Sequence, residues 1–186
     1  MRIFIASKLS SNYSEILTPS FEFFKKKGII SKLKPVKLDN IHLTYSFLGD
    51  IIGEEKLEEL KIDIKKNFEN FKKIEFFFKK VDFFPDKKKP KIIWASVDDN
   101  SSQELKNIYI KIKEVLNKNS VFTNENFVPH ITLARVKTIL LKGEIEKILS
   151  FEFENKNCFF ENIAIMDSNL TSKGPEYRTL FEVNFI

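Results

Sequence analysis

Two stretches of this chain are variations on one strand. The first reads Ile41-His42-Leu43-Thr44-Tyr45-Ser46-Phe47-Leu48-Gly49, the second Val128-Pro129-His130-Ile131-Thr132-Leu133-Ala134-Arg135. They hold the chain's 2 histidines, and in each run a threonine stands two places after the histidine. β-Branched and aromatic residues dominate both, which is strand composition. Side chains along a strand alternate between its faces. His42 and Thr44 therefore share one face, with Ile41, Leu43 and Tyr45 on the other. His130 and Thr132 share a face in the same way, against Ile131 and Leu133. Each run offers an imidazole and a hydroxyl to one side and an apolar anchor to the other. The fold must then contain two amphipathic strands, each covering a core.

Histidine is the side chain whose ordinary pKa lies nearest neutrality. A chain that uses it only twice, in matched settings, points to paired acid–base work rather than to two unrelated structural imidazoles. Brought together, the two strands supply two proton-transfer groups and two hydroxyl donors.

The rest of the chain frames these runs. Strand signals cover residues 2–7, 33–37, 41–48, 74–81, 92–97, 127–135, 159–166 and 177–185. Between them, apolar residues recur at helical spacing in residues 14–27, 54–71, 101–117 and 142–149. Each half of the chain thus carries strands, a long helix and one His-x-Thr strand. This predicts an α+β fold of two pseudo-symmetric lobes, each an antiparallel sheet with helices on its outer face. With no low-complexity linker, residues 1–186 read as a single domain made of two lobes.

The pattern resembles a known family, the two-histidine (2H) phosphoesterases, in the branch called RNA 2',3'-cyclic phosphodiesterases or 2'-5' RNA ligases. Asp39-Asn40-Ile41-His42-Leu43-Thr44 with Phe47-Leu48-Gly49 resembles its first motif. Pro129-His130-Ile131-Thr132-Leu133-Ala134-Arg135 resembles the second, 88 positions on (130 − 42). Met1-Arg2-Ile3-Phe4-Ile5-Ala6 is similar to the first strand of the family, and Phe84-Pro85 with Pro90-Lys91-Ile92-Ile93-Trp94-Ala95 to its middle hairpin. Asp167-Ser168-Asn169-Leu170 and Gly174-Pro175-Glu176-Tyr177 are similar to its C-terminal hairpin. Tyr45, Ser46 and Asp167 depart from the usual residues, where leucine, a basic residue and glutamate are common.

The resemblance implies that the motifs meet in a cleft between the sheets. It also implies metal-independent attack of water on a 2',3'-cyclic phosphate end, with the 3' oxygen leaving and a 2'-phosphate remaining. His42 and His130 are then catalytic, with His130 expected as base for the water and His42 as acid for the leaving oxygen. Thr44 and Thr132 bind the phosphate, and Arg135 joins them through the second motif. Strict alternation, however, puts Arg135 on the face opposite His130, so it reaches the cleft only if the strand bulges or ends first. Phe47 and Tyr177 offer rings for a base, although core packing is the expected role of Phe47. The partner is RNA with a 2',3'-cyclic phosphate or a 2'-5' linkage, tRNA fragments among them. Two alternatives stay open: a 2'-5' RNA ligase running the reverse reaction, and a non-catalytic nucleotide- or RNA-binding module on the same fold.

Other chemistries find little support. Nothing reads Gly-x4-Gly-Lys-Ser/Thr for a nucleotide loop, Gly-x-Ser-x-Gly for a serine nucleophile, or a Cys pair for zinc. No cofactor and no metal are expected. The net charge of +5 and pI of about 9.1 favour a polyanionic partner. The one long basic run, Lys87-Lys88-Lys89-Pro90-Lys91, reads either as a solvated hairpin tip or as an arm that attracts RNA phosphates. Lys32, Lys34 and Lys37, just before the first motif, invite the same two readings. The single Cys158 sits in an apolar run and is expected as a buried, inert thiol. The apolar start lacks signal-peptide architecture and no stretch is long enough to span a membrane. A cytoplasmic monomer is the expectation.

Overall fold

The computed structural model describes residues 2–49, 53–123, 126–172 and 174–186. In chain order the elements are β1 (Arg2–Ser7), α1 (Tyr13–Lys26), β2 (Leu33–Pro35), β3 (Leu43–Gly49), α2 (Glu54–Phe68), β4 (Ile74–Phe84) and β5 (Ile92–Val97). Then follow α3 (Asp99–Lys118), β6 (Ile131–Val136), α4 (Lys142–Leu149), β7 (Asn157–Phe160), β8 (Asn162–Thr171) and β9 (Gly174–Asn184).

The strands form one sheet in the order β7-β4-β5-β6-β3-β1-β8-β9, with β2 added on β6, and every recorded pairing is antiparallel. The two His-x-Thr strands are the central neighbours. Their ladder is a single pair, Leu43 opposite Ile131. The halves of the sheet, one carrying each motif, thus join at the residues between each histidine and its threonine. Both joint residues are fully buried, so the seam is anchored in the core while the polar face stays open.

The helices follow from their apolar stripes. α2 buries Leu60, Ile64 and Phe68, and α3 buries Leu105, Ile108, Ile112, Val115 and Leu116, the spacing of one helical face. α2 packs on α3, β8 and β9, while α3 also reaches β3 and β4, and α4 reaches β4. The Asp98 carboxylate caps α3, accepting the Ser101 N–H at 3.1 Å. Phenylalanine fills the core: Phe4, Phe24, Phe68, Phe76 and Phe160 are almost wholly buried. Cys158 is buried among them, 3.2 Å from Ser10 Oγ, and burial raises its thiol pKa.

Several elements differ in their bounds from the sequence expectation, and three of the differences bear on the architecture. The run 159–166 is two strands, broken at Glu161, because its ends serve different partners: β7 pairs with β4, and β8 lies between β1 and β9. The run 127–135 becomes a strand only from Ile131; Pro129 has no N–H to donate to a ladder. The run 54–71 is helical only to Phe68. Beyond it, the Phe71 carbonyl accepts the Ile186 N–H at 2.8 Å, tying this end of the helix to the C-terminus.

Candidate active site

Each histidine stands one residue before its strand begins. Continuing the Leu43–Ile131 register by one residue on either side sets His42 across from Thr132 and Thr44 across from His130. The four residues form a quadrilateral with the histidines on a diagonal. Diagonal neighbours across an antiparallel pair lie about 7–8 Å apart, enough for a phosphate between two imidazoles.

The rings are oriented alike. His42 Nδ1 lies 2.7 Å from the Asn40 carbonyl oxygen, and His130 Nδ1 lies 2.7 Å from that of Val128. A carbonyl only accepts, so Nδ1–H donates in both. That fixes the neutral tautomer and leaves each Nε2 with a lone pair for chemistry. Burial lowers the pKa of both imidazoles; for His42 the charge on His130 lowers it further, and the hydrogen bonds to Asn40 and Val128 partly oppose the burial.

A matched irregularity completes the cleft. Against β1, the β3 register passes from Thr44 to Ser46 while β1 advances one residue, so Tyr45 is an extra residue. Against β5, β6 passes from Thr132 to Ala134, and Leu133 is extra. Both strands therefore bulge immediately after the threonine, and both show the same sequence of buried, half-buried and exposed positions from Leu43 and Ile131 onward. A bulge shifts the alternation by one. The residue five places after each histidine thereby joins the cleft face: Phe47 on one strand, Arg135 on the other. The β6 bulge is held by the residue after β2: the Val36 N–H donates to the Leu133 carbonyl at 2.8 Å.

His42, Thr44, His130, Thr132 and Arg135 all line one cavity of about 460 Å³. Lys34 and Lys37 line it as well, and no carboxylate does among the described residues. Lys32 does not: it pairs with Glu144 at 2.8 Å. The lysines of the 87–91 loop lie outside the lining; Asp86 accepts the N–H groups of Lys88 and Lys89 and shapes that hairpin tip.

Aromatic rings flank both histidines. His42 lies 5.2 Å from the Phe4 ring and 5.0 Å, edge on, from Tyr177. His130 lies 4.9 Å from Phe84, which stacks on Trp94 at 4.8 Å. The sequence reading assigns no site role to Phe4, Phe84 or Trp94; the ladder that puts Trp94 opposite Thr132 is a property of paired strands. Phe47 is not core: it is 56% exposed, and it lines the cleft with Tyr177. The departures Tyr45 and Ser46 are both buried, and Tyr45 is also part of the cleft lining. The Tyr45 ring stacks on Phe127 at 5.5 Å and its hydroxyl lies 3.1 Å from Ser7 Oγ, while Ser46 Oγ donates to Thr123 Oγ1 at 2.9 Å. Asp167 lies outside the cleft lining, accepting Arg178 Nη2 at 2.7 Å across the β8–β9 hairpin. Among the described residues, no group of three or more His, Cys, Asp or Glu converges to hold a metal, and no helix is long and apolar enough to cross a membrane.

Comparison with known proteins finds relatives along nearly the whole chain. The LigT like Phosphoesterase family model matches residues 9–94. An RNA 2',3'-cyclic phosphodiesterase of Methanocaldococcus jannaschii is 33% identical over 187 residues, covering 98% of this chain and 99% of that protein. One from Thermotoga maritima is 29% identical, covering 100% and 96%. Among solved structures, a Thermus thermophilus protein superposes with a TM-score of 0.78 at 22% identity, covering 99% of this chain and 97% of that one. Escherichia coli LigT complexed with 3'-AMP gives 0.76 at 18%, with the same coverage; these two likenesses speak to the fold.

Proposed function

The chain belongs to the LigT-like phosphoesterase family, and from that premise we propose that it hydrolyses 2',3'-cyclic phosphate ends of RNA, tRNA fragments among them, to 2'-phosphates. The observation that carries this reading is the composition of the cleft. Two imidazoles with free Nε2 atoms stand diagonally across two hydroxyls, beside three cations and no carboxylate among the described residues. Such a cleft attracts an anion and offers it an acid and a base.

The chemistry needs a proton removed from water, a proton given to the departing ribose oxygen, and stabilisation of charge on the non-bridging oxygens. The diagonal supplies the first two on opposite sides of phosphorus. Thr44, Thr132 and Arg135 supply donors for the third, on strands rigid enough to hold them in place. None of these steps calls on a group outside the chain.

The asymmetry at the fifth position orients the substrate. Phe47 and Tyr177 lie on the His42 side; Arg135 lies on the His130 strand, where the β2–β6 ladder pairs it with Lys34. A base stacking on the rings, worth about 1–3 kcal/mol, brings its ribose against His42, and the phosphate oxygens toward Arg135. His42 then protonates the leaving 3' oxygen, and His130 takes the proton of the attacking water. The reading is of an enzyme that works as a monomer.

The test is turnover of a short RNA with a 2',3'-cyclic end, with the product identified by phosphorus NMR. A 2'-phosphate is expected. Release of a 3'-phosphate would mean that the 2' oxygen leaves and would overturn the proposed ribose orientation, and no turnover would leave a binding module.

A further inference from the structure

Beyond His130 the cleft face of the sheet continues. Trp94 stands beside Thr132 in the β5–β6 ladder. Ser96 follows two residues along the same face, and the Lys80 N–H of β4 donates to its Oγ at 3.2 Å. With Lys79, and with Ser102 and Lys106 of α3, these residues line a second cavity of about 360 Å³. Phe127 and Val128 line both cavities, so the turn before His130 is what divides them.

The charge of its lining suits this cavity to an anion. Three lysines line it against a single carboxylate, Asp99. Asp99 holds Lys79 at 2.6 Å, whereas Lys80 lies 3.6 Å from Asp82 and Lys106 has no acidic partner among the described residues.

We infer that this second cavity holds a phosphodiester of an RNA strand lying beyond His130, on the side where the nucleophile enters. The inference rests on the orientation argued above. With His42 at the leaving 3' oxygen, in-line displacement brings the nucleophile in beside His130. A strand presenting its 5'-hydroxyl there, in place of water, continues away from the cleft across the 127–129 turn. Neighbouring strands are about 4.8 Å apart and alternate residues of one strand about 6.6 Å apart. Its first phosphate thus falls over Trp94 and Ser96. The step balances without a further reactant: the 5'-hydroxyl proton passes to His130 Nε2, the O5'–P bond forms, the P–O3' bond breaks, and O3' takes the proton from His42. The product is a 2'-5' linkage. In the opposite direction, the same cavity binds the strand that opening such a linkage releases.

The experiment uses the full chain, a 3'-labelled RNA trinucleotide with a 5'-hydroxyl as probe, and fluorescence anisotropy at several salt concentrations. Hydrolysis of a 2',3'-cyclic mononucleotide is followed in parallel. The Lys80→Gln/Lys106→Gln double variant is expected to weaken trinucleotide binding roughly tenfold and to flatten the slope of log affinity against log salt by about 1.4, two contacts on a single strand. Its cyclic mononucleotide turnover stays at the parent level. A Lys25→Gln/Lys26→Gln control, on exposed positions of α1, leaves both unchanged. The inference is overturned if the parent does not bind the trinucleotide, if the double variant binds with the parent's affinity and slope, or if the control loses as much. Failure of the parent to hydrolyse the cyclic mononucleotide overturns the proposed function instead.

Discussion

Raising the pH should switch this enzyme off early, and the histidine environment says where. Burial lowers both imidazole pKa values from the ordinary 6.5, and mutual repulsion lowers that of His42 further. On the proposed assignment the productive free enzyme carries one proton on the pair, with His42 charged as acid and His130 neutral as base. Protonating both abolishes the base as pH falls; deprotonating both abolishes the acid as pH rises. Because both shifts are downward, both limbs of the kcat/KM profile lie below about 6.5, and they are properties of the pair rather than of either residue. Past each limb the rate falls about tenfold per pH unit. Two units above the second limb, roughly 1% of the optimal kcat/KM remains. Binding changes this in a defined direction. An anionic phosphate beside His42 favours its protonated form, so the alkaline limb of kcat lies above that of kcat/KM. The assay is initial-rate hydrolysis of a cyclic mononucleotide from pH 4.5 to 8.5, across a range of substrate concentrations. A kcat/KM plateau reaching pH 8 would refute the reasoning, since it requires an acid whose pKa the cleft has raised.

Other expectations follow from single contacts. Arg135→Ala removes a charge-assisted donor worth about 1.5–3 kcal/mol; KM should rise roughly 10- to 150-fold, with Arg135→Lys recovering only part of this because lysine lacks the planar fork. Phe47→Ala removes an exposed ring and should weaken nucleotide binding by about 1–3 kcal/mol, read as Kd by calorimetry, while kcat changes less. Replacing Lys87, Lys88, Lys89 and Lys91 with glutamine should leave cyclic mononucleotide kinetics at parent values, because that tip stands outside the cleft lining. Turnover should survive excess EDTA; loss that a divalent ion restores would show a metal-dependent reaction. Phe76→Ala, in a fully buried stack with Phe160 at 4.2 Å, should cost about 3–5 kcal/mol of stability by chemical denaturation.

Much of the scaffold was legible because periodicity is local. The helical stripes of α1 to α4, and strands such as Ile92–Val97, follow from residues within a few positions of each other. The histidine–threonine faces were legible for the same reason. What alternation could not deliver was the position of Arg135. A bulge at Leu133 is a property of two strands in register, and nothing in Thr132-Leu133-Ala134 announces it. The same lost information misplaced Phe47, assigned to the core yet turned outward by the bulge at Tyr45. Charge was legible in amount but not in place. Lys32, Lys34 and Lys37 look equivalent along the chain, but a partner 112 residues away takes the first while the other two line the cleft. The flanking rings Phe4, Phe84 and Trp94 come from strands whose order in the sheet is not written in their own sequence.

The central claim is that His42 and His130 act as one acid–base pair. It is tested most directly by measuring single-turnover hydrolysis of a 2',3'-cyclic-ended RNA with His42→Ala, His130→Ala and the double variant, each verified as folded by circular dichroism. The account predicts that each single variant loses on the order of 10²–10⁴ in rate. It also predicts that the double variant is scarcely slower than the worse single one, because groups that act as a unit are not additive. A folded single variant that retains near-parent turnover would contradict the claim, as would losses that multiply in the double variant.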